Sequence, residues 1–305
     1  MDRTFRRQLA AIQQDRHSGA SELALRAGAA FQGWLRRRPN PTPRELMDAV
    51  HSILHAQPFM APLIRLANDL LLAGESDRPS KALNDTVRRF DQLLRRAPAR
   101  IARGFIRSLR RHSPRAVATY SYSSTVIRCL TQGRARLAGV LCSESRPGYE
   151  GRAIARALAR AEIPVLFLTD AGLSARIEEA WIFVMGADAV LSGGFINKVG
   201  TRMLASRALE AGRHVWVLAD TTKFVPEAIA STLVRPWLRI GKPGPRAEIW
   251  RRPPAGVFLL NTYFERTPYS PAIRVLSERG WMTRQAVGKE LEEIPVSARL
   301  LKMAD

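Results

Sequence analysis

Five apolar runs, each followed by a polar segment and then by residues at helical spacing, constrain this chain more than any other feature. They are Val117-Ala118-Thr119-Tyr120, Leu137-Ala138-Gly139-Val140-Leu141, Pro164-Val165-Leu166-Phe167-Leu168, Trp181-Ile182-Phe183-Val184-Met185 and Val215-Trp216-Val217-Leu218-Ala219. Apolar strands alternating with helices predict a parallel sheet covered on both faces. Ligands bind such a sheet where strands end and helices begin, because free backbone N–H groups and the positive ends of helix dipoles collect there. The densest such junction, Gly186 to Thr201, holds Asp188, Asn197, Lys198 and several glycines. It predicts an anionic ligand, a phosphate before any other.

The preceding stretch has a different texture. Apolar residues recur at helical spacing in Leu23, Leu25, Phe31 and Leu35, then Leu46, Val50 and Ile53, then Leu63, Leu66 and Leu70, then Val87, Leu94 and Ile101. Pro41, Pro43, Pro58, Pro62 and Pro79 punctuate them, predicting four or five helices joined by short turns. The fold class expected is α/β: an N-terminal helical domain over 1–112, then a Rossmann-like, doubly wound parallel-sheet domain over 113–305 that binds ligand. A chain of 305 residues with 46% apolar content is long enough for both cores.

The formal net charge is +21, with arginine supplying nearly all of it: lysines number six among the 48 basic residues. The most concentrated stretch holds Arg95, Arg96, Arg100, Arg103, Arg107, Arg110, Arg111 and Arg115 without an intervening acid. Several of these share a helical face. A nucleic-acid or ribosome partner is the lesser reading of this charge, a solvated or acid-facing surface the larger. No secretory signal is visible after Met1, and no apolar stretch is long enough to span a bilayer, so the chain reads as cytoplasmic, with no membrane partner. The two cysteines, Cys129 and Cys142, have no metal spacing and read as reduced and buried. His51 and His55 are four apart but lack a third ligand, so neither a metal nor a cofactor is expected.

At the strand ends, Ser121, Ser123 and Ser124 form a hydroxyl-rich turn suited to capping a helix or bonding phosphate oxygens. Arg146 and Arg152 are placed to clamp an anion, with Glu144 orienting one of them; a purely structural ion pair is the alternative. Asp170 reads either as a site residue or as a helix N-cap. Asp188 emerges at the end of a buried strand, a setting that suits a carboxylate to proton transfer. Asn197 and Lys198, at an expected helix start, reach the same ligand.

These residues carry a resemblance. Glu144-Ser145-Arg146-Pro147 followed by Glu150-Gly151-Arg152, then Gly186-Ala187-Asp188, Ile196-Asn197-Lys198-Val199-Gly200-Thr201 and Lys223-Phe224 resemble the signature of one superfamily. Phe264-Glu265-Arg266-Thr267-Pro268 and Glu278-Arg279-Gly280 are similar to its closing segment. It comprises the regulatory alpha, beta and delta subunits of the translation initiation factor two-B exchange factor, their archaeal relatives, ribose bisphosphate isomerase and methylthioribose phosphate isomerase. The resemblance implies a phosphorylated sugar or nucleoside monophosphate as ligand, Lys223 among its contacts, and a homodimer or higher homo-oligomer. The isomerases use a cysteine and an aspartate for acid–base work. Asp188 fills the aspartate's place, but the Thr-His-Cys segment reads Thr119-Tyr120-Ser121 here, and a serine hydroxyl does not supply a thiolate near neutral pH. Their Arg-Gly-Ala phosphate loop is also replaced, by His17-Ser18-Gly19-Ala20. Both departures favour a ligand-sensing protein over an aldose–ketose isomerase using Asp188 and Ser121.

Overall fold

A computed structural model describes residues 2–15, 18–58, 60–110, 113–235, 238 and 244–304; His17 and Arg111 lie outside these. The chain forms two compact units, one of Met1–Ala97, Thr221–Pro236 and Lys289–Asp305, the other of Pro98–Asp220 and Trp237–Gly288. The helical unit is thus assembled from three stretches, where the sequence texture suggested a single one ending at residue 112.

In the helical unit, α1 (Arg3–Gln14) packs on α2 (Ala20–Arg37) and α3 (Pro43–Ala56), and α4 (Ala61–Gly74) packs on α2 and α3. The expected apolar positions form its core, including Phe31, Leu35, Leu46, Val50, Ile53, Leu63, Leu66 and Leu70. Pro43, Pro62 and Pro79 act as helix starters: Pro43 follows the Thr42 cap, whose hydroxyl accepts from Glu45 N at 3.2 Å while Glu45 Oε2 accepts from Thr42 N at 2.9 Å. Buried Asn68 explains why the C-terminal stretch returns here. Its amide donates to Pro295 O and accepts from Ser297 N, both at 2.9 Å. The fifth helix, α5 (Pro79–Leu109), continues through Pro98 and contributes residues to both units.

The second unit is built on a seven-stranded sheet. Its strands are β1 (Arg115–Thr119), β2 (Leu137–Ser143), β3 (Val165–Leu168), β4 (Ile182–Gly186), β7 (His214–Leu218), β9 (Ile273–Ser277) and β10 (Gly280–Met282). They run in the order β10-β9-β7-β4-β1-β2-β3, all parallel except β10. Val117, Val140, Cys142, Ile182 and Val184 share one core with Ile101 and Phe105 of α5, with α6 (Ser124–Gln132) and with α7 (Gly151–Arg160). Alternate strand residues turn to the other face, where α8 (Asp170–Arg176) and α9 (Thr201–Glu210) pack on β2, β3, β4 and β7. The sheet is doubly wound, as expected. No helix among the described residues is long and apolar enough to cross a membrane.

The chain steps outward from β1 to β2 and β3, then crosses back to place β4 on the other side of β1. That reversal leaves a crevice beyond the ends of β1 and β4. Beside it lies a three-stranded antiparallel sheet of β5 (Ala189–Leu191), β6 (Gly194–Lys198) and β8 (Phe264–Pro268). Asn197 and Lys198 therefore end a strand. The helix expected at that point begins three residues later, at Thr201.

Candidate functional site

Leaving β1, the chain turns through Ser121, whose φ is 63° and whose N–H donates to Ser145 Oγ at 2.9 Å. Ser145 belongs to the loop after β2, and Asp170 fastens that loop. One carboxylate oxygen accepts from Ser143 Oγ at 2.7 Å and Ser145 N at 2.9 Å, and the other from Arg146 N at 2.8 Å. The cap of α8 is Thr169, which accepts from Gly172 N. Asp170 is thus a loop fastener, and the N-cap role expected of it falls to Thr169. Its side chain can hold these donors because it lies at the mouth of β3, beside the end of β2.

The fastened loop carries Arg146, Tyr149, Glu150 and Arg152. The guanidinium carbons of Arg146 and Arg152 stand 4.7 Å and 4.1 Å from the centre of the Tyr149 ring, and Arg146 also donates to the Tyr149 hydroxyl. Cation–π contact with Tyr149 orients both arginines; among the described residues neither forms an ion pair with Glu144. Glu144 is half-buried, with its N–H on Leu168 O.

Glu150 is the residue that draws the site together. Its carboxylate is 2.8 Å from the Lys198 ammonium and 3.4 Å from the Ser121 hydroxyl, which donates to it. The Lys198 side chain is 5% exposed and its ammonium also lies 4.5 Å from the centre of the Tyr263 ring. Asn197 donates to Thr201 Oγ1 at 3.0 Å, and that hydroxyl donates to Lys198 O at 2.6 Å. The next turn depends on Gly200, in the left-handed region at φ 96°, where an added Cβ would come within 2.6 Å of the Tyr120 hydroxyl. That hydroxyl donates to Val199 O at 2.6 Å. Burial above all, then the carboxylates of Asp170, Glu150, Glu265 and Glu144, push the phenol's pKa up and keep it a donor.

Asp188 is half-buried between β4 and β5, its N–H donating to Ile196 O at 2.8 Å. Ser123 caps α6 by accepting from Val126 N, and Ser124 is exposed in the first turn. Lys223 is buried in the turn Thr221–Lys223 of the helical unit. The structure thus brings Ser121 and Lys198 onto one carboxylate and aligns Arg146 with Arg152. Sequence reasoning missed Glu150, Tyr149 and Tyr263 as side chains of this cluster. An acid directly before Gly151 in a basic stretch was the signal available for Glu150.

Neither cysteine is near Ser121 in role. Cys129 of α6 and Cys142 of β2 are fully buried, and burial pushes each thiol up to about 12. At pH 8 the thiolate fraction is then about one in ten thousand. A disulfide reagent added to the folded chain should leave both thiols unmodified and titrate two after denaturation; rapid modification of either in the folded protein would contradict this burial. His51 and His55 stack at 3.9 Å, and burial followed by the charge of His55 lowers the His51 pKa. Among the described residues no three His, Cys, Asp or Glu side chains are grouped to hold a metal.

Residues 11–283 match the model of the initiation factor 2 subunit family. The chain belongs to that family. It is 29% identical over 218 residues to a putative translation initiation factor eIF-2B subunit 2-like protein of Pyrococcus furiosus, covering 70% of this chain and 76% of the relative. It is 27% identical over 261 residues to a ribose 1,5-bisphosphate isomerase of Archaeoglobus fulgidus, covering 84% of this chain and 80% of that enzyme. The crystal structure of a Pyrococcus horikoshii translation initiation factor eIF-2B superposes with a TM-score of 0.74 at 25% identity, over 94% of this chain and all of the other. Family membership spans a factor and an enzyme, so it leaves activity to the site residues.

Proposed function

We propose that this protein is a non-catalytic initiation factor two-B regulatory-subunit-like protein that binds a phosphorylated sugar or nucleoside monophosphate beyond the ends of β1 and β4. The observation that carries this reading is Ser121. It stands where the isomerase resemblance puts the catalytic cysteine, and the carboxylate nearest to its hydroxyl is already engaged by Lys198 at 2.8 Å. A serine whose hydrogen-bonded carboxylate is already neutralised by an ammonium gains no activation for proton transfer from that carboxylate. In this reading Arg146, Asn197 and Lys198 meet phosphate and hydroxyl groups, and Asp188 accepts hydrogen bonds from a sugar.

The second reading, an isomerase of aldose to ketose phosphates, is favoured by the isomerase relative that matches 84% of the chain and by Asp188 in the aspartate's place. Thermal unfolding with sugar phosphates, sugar bisphosphates and nucleoside monophosphates separates the two. A ligand at a hundred times its Kd adds about 2.7 kcal/mol, a rise of roughly 5 °C or more in midpoint. The binder reading expects such a shift from one class, no turnover of that compound, and loss of the shift in Asp188→Asn. Turnover abolished by Asp188→Asn with binding kept would establish the isomerase. No shift across the panel would remove the ligand reading altogether.

A further inference from the structure

The helical unit holds a pocket that the site at the strand ends does not use. One face of α4 and one face of the first half of α5 line about 430 Å³, with every lining residue in the same compact unit. That volume falls within the range of small-molecule sites, roughly 300–1,000 Å³. Arg65, Asp69, Leu72 and Ala73 lie at helical spacing along α4, as do Ala82, Thr86, Arg89, Phe90 and Leu93 along α5. Ala73 and Ala82 leave room that larger side chains would take. Leu72 and Leu93 are half-buried and Phe90 is 5% exposed, which gives the pocket an apolar wall anchored in the core.

The polar groups of this pocket are donors in excess. Arg65 Nε donates to both carboxylate oxygens of Asp69 at 3.0 Å, so the acid occupies one edge of the guanidinium. The terminal N–H groups of Arg65 have no acceptor among the described residues. Arg89 Nη2 donates to Thr86 Oγ1 at 3.0 Å, which holds an otherwise exposed guanidinium against the pocket wall. Thr86 is 6% exposed, and among the described residues nothing accepts its hydroxyl proton. A buried hydroxyl donor is costly until an acceptor reaches it. Two guanidinium forks and a hydroxyl in this state call for a ligand group with paired oxygens. Of the lining charges, Asp69 offsets one arginine and the other is left over, so that group carries a single negative charge. The apolar wall calls for hydrocarbon attached to it. We propose that this pocket binds a small organic monocarboxylate with an aliphatic or aryl body. Thr86, Arg65 and Arg89 meet the carboxylate, and Leu72, Phe90 and Leu93 cover the body. The proposal uses no residue of the sugar-phosphate reading and stands or falls apart from it.

The test is isothermal titration calorimetry of the full chain with hexanoate, octanoate and phenylacetate. At least one of them should bind, with acetate, which lacks the body, and hexanol, which lacks the charge, each at least about tenfold weaker. Arg89→Gln should weaken the binding acid by about tenfold or more, and Thr86→Val by about fivefold. Ala82→Leu fills the pocket without touching a charge and should remove binding. Thermal unfolding shows whether each variant is folded; Arg89 is exposed and Thr86→Val keeps the side-chain shape, so these two carry the test should Ala82→Leu unfold. Failure of all three acids to bind at millimolar concentration would overturn the proposal, as would binding that Arg89→Gln and Thr86→Val both leave intact. Tighter binding of phenyl phosphate than of phenylacetate would defeat the assignment of a singly charged carboxylate. Loss of binding in Asp188→Asn but not in Arg89→Gln would place the acid at the strand ends and remove the second pocket.

Discussion

Gly151→Ala is expected to destabilise the sheet unit by about 3 kcal/mol and to lower its unfolding midpoint by roughly 6 to 12 °C. An added Cβ at residue 151 would lie 1.7 Å from Ser143 O and under 3 Å from two further backbone carbons. Neither neighbour is a flexible side-chain tip. Ser143 is the last residue of β2, inside the parallel ladder, and Gly151 is the first residue of α7, with its N–H on Glu144 O at 3.2 Å. The only relief is to lift the start of α7 off the strand. That movement would carry Glu150 with it, and so disturb the contacts to Lys198 and Ser121. The same variant should therefore lose the ligand-induced shift. Gly288→Ala supplies the contrast, because nothing lies within 4 Å of its added Cβ and the residue is inside a helix. That change should stabilise by about 0.5 to 1 kcal/mol. Calorimetry of both variants decides the matter: a Gly151→Ala protein as stable as its parent would mean that α7 does not lie so close to β2.

The contrast between these glycines also shows what a sequence can and cannot reveal. The parallel strands were legible because the central ones, β1, β4 and β7, are buried on both faces and so read as unbroken apolar runs, while the edge strand β3 reads alike although Leu166 and Phe167 are exposed; the five expected runs match β1, β2, β3, β4 and β7 to within about two residues. The helical starts were legible through Pro43, Pro62 and Pro79, whose rings suit the first turn. The antiparallel sheet was not. Val190, Leu191, Phe195 and Ile196 are split by Ser192-Gly193-Gly194, and so short an apolar pair on either side of glycines looks like a loop until β8 arrives from residue 264 to pair with β6. Long-range pairing of that kind leaves no local periodicity. The same reason hid the centre of the site. Ser121, Glu150 and Lys198 are separated by 29 and 48 residues and meet only because β1, α7 and β6 converge. Arg146, Asn197 and Lys198 were legible as polar groups at strand ends. That a carboxylate would claim Lys198, and that a tyrosine between two arginines would orient both, depends on side-chain reach across elements.

Glu150→Gln should expose the consequence of that ion pair. Lys198 is buried, so removing the charge of its carboxylate partner leaves an ammonium with a ring face and a neutral amide where it had an anion at 2.8 Å. Breaking a fully buried pair by deleting one member costs 3–5 kcal/mol as a rule, and the partial exposure of Glu150 reduces this to about 2 kcal/mol. The loss should fall in the presence of millimolar inorganic phosphate, since a bound anion near Lys198 restores what the glutamine removed. In the parent protein, by contrast, an incoming phosphate has to compete with Glu150 for the same ammonium, so its midpoint should respond less. The pair would then act as an occupied gate: Glu150 keeps Lys198 neutralised in the unliganded protein and sets how strong an anion must be to displace it. Replacing both partners, as Glu150→Gln/Lys198→Met, should recover part of the lost stability and abolish the phosphate response, because neither the buried charge nor the anion's partner remains. Titration of phosphate against the unfolding midpoint of the three proteins measures this directly. Equal responses in the parent and in Glu150→Gln would place the phosphate away from Lys198 and leave the pair a structural one.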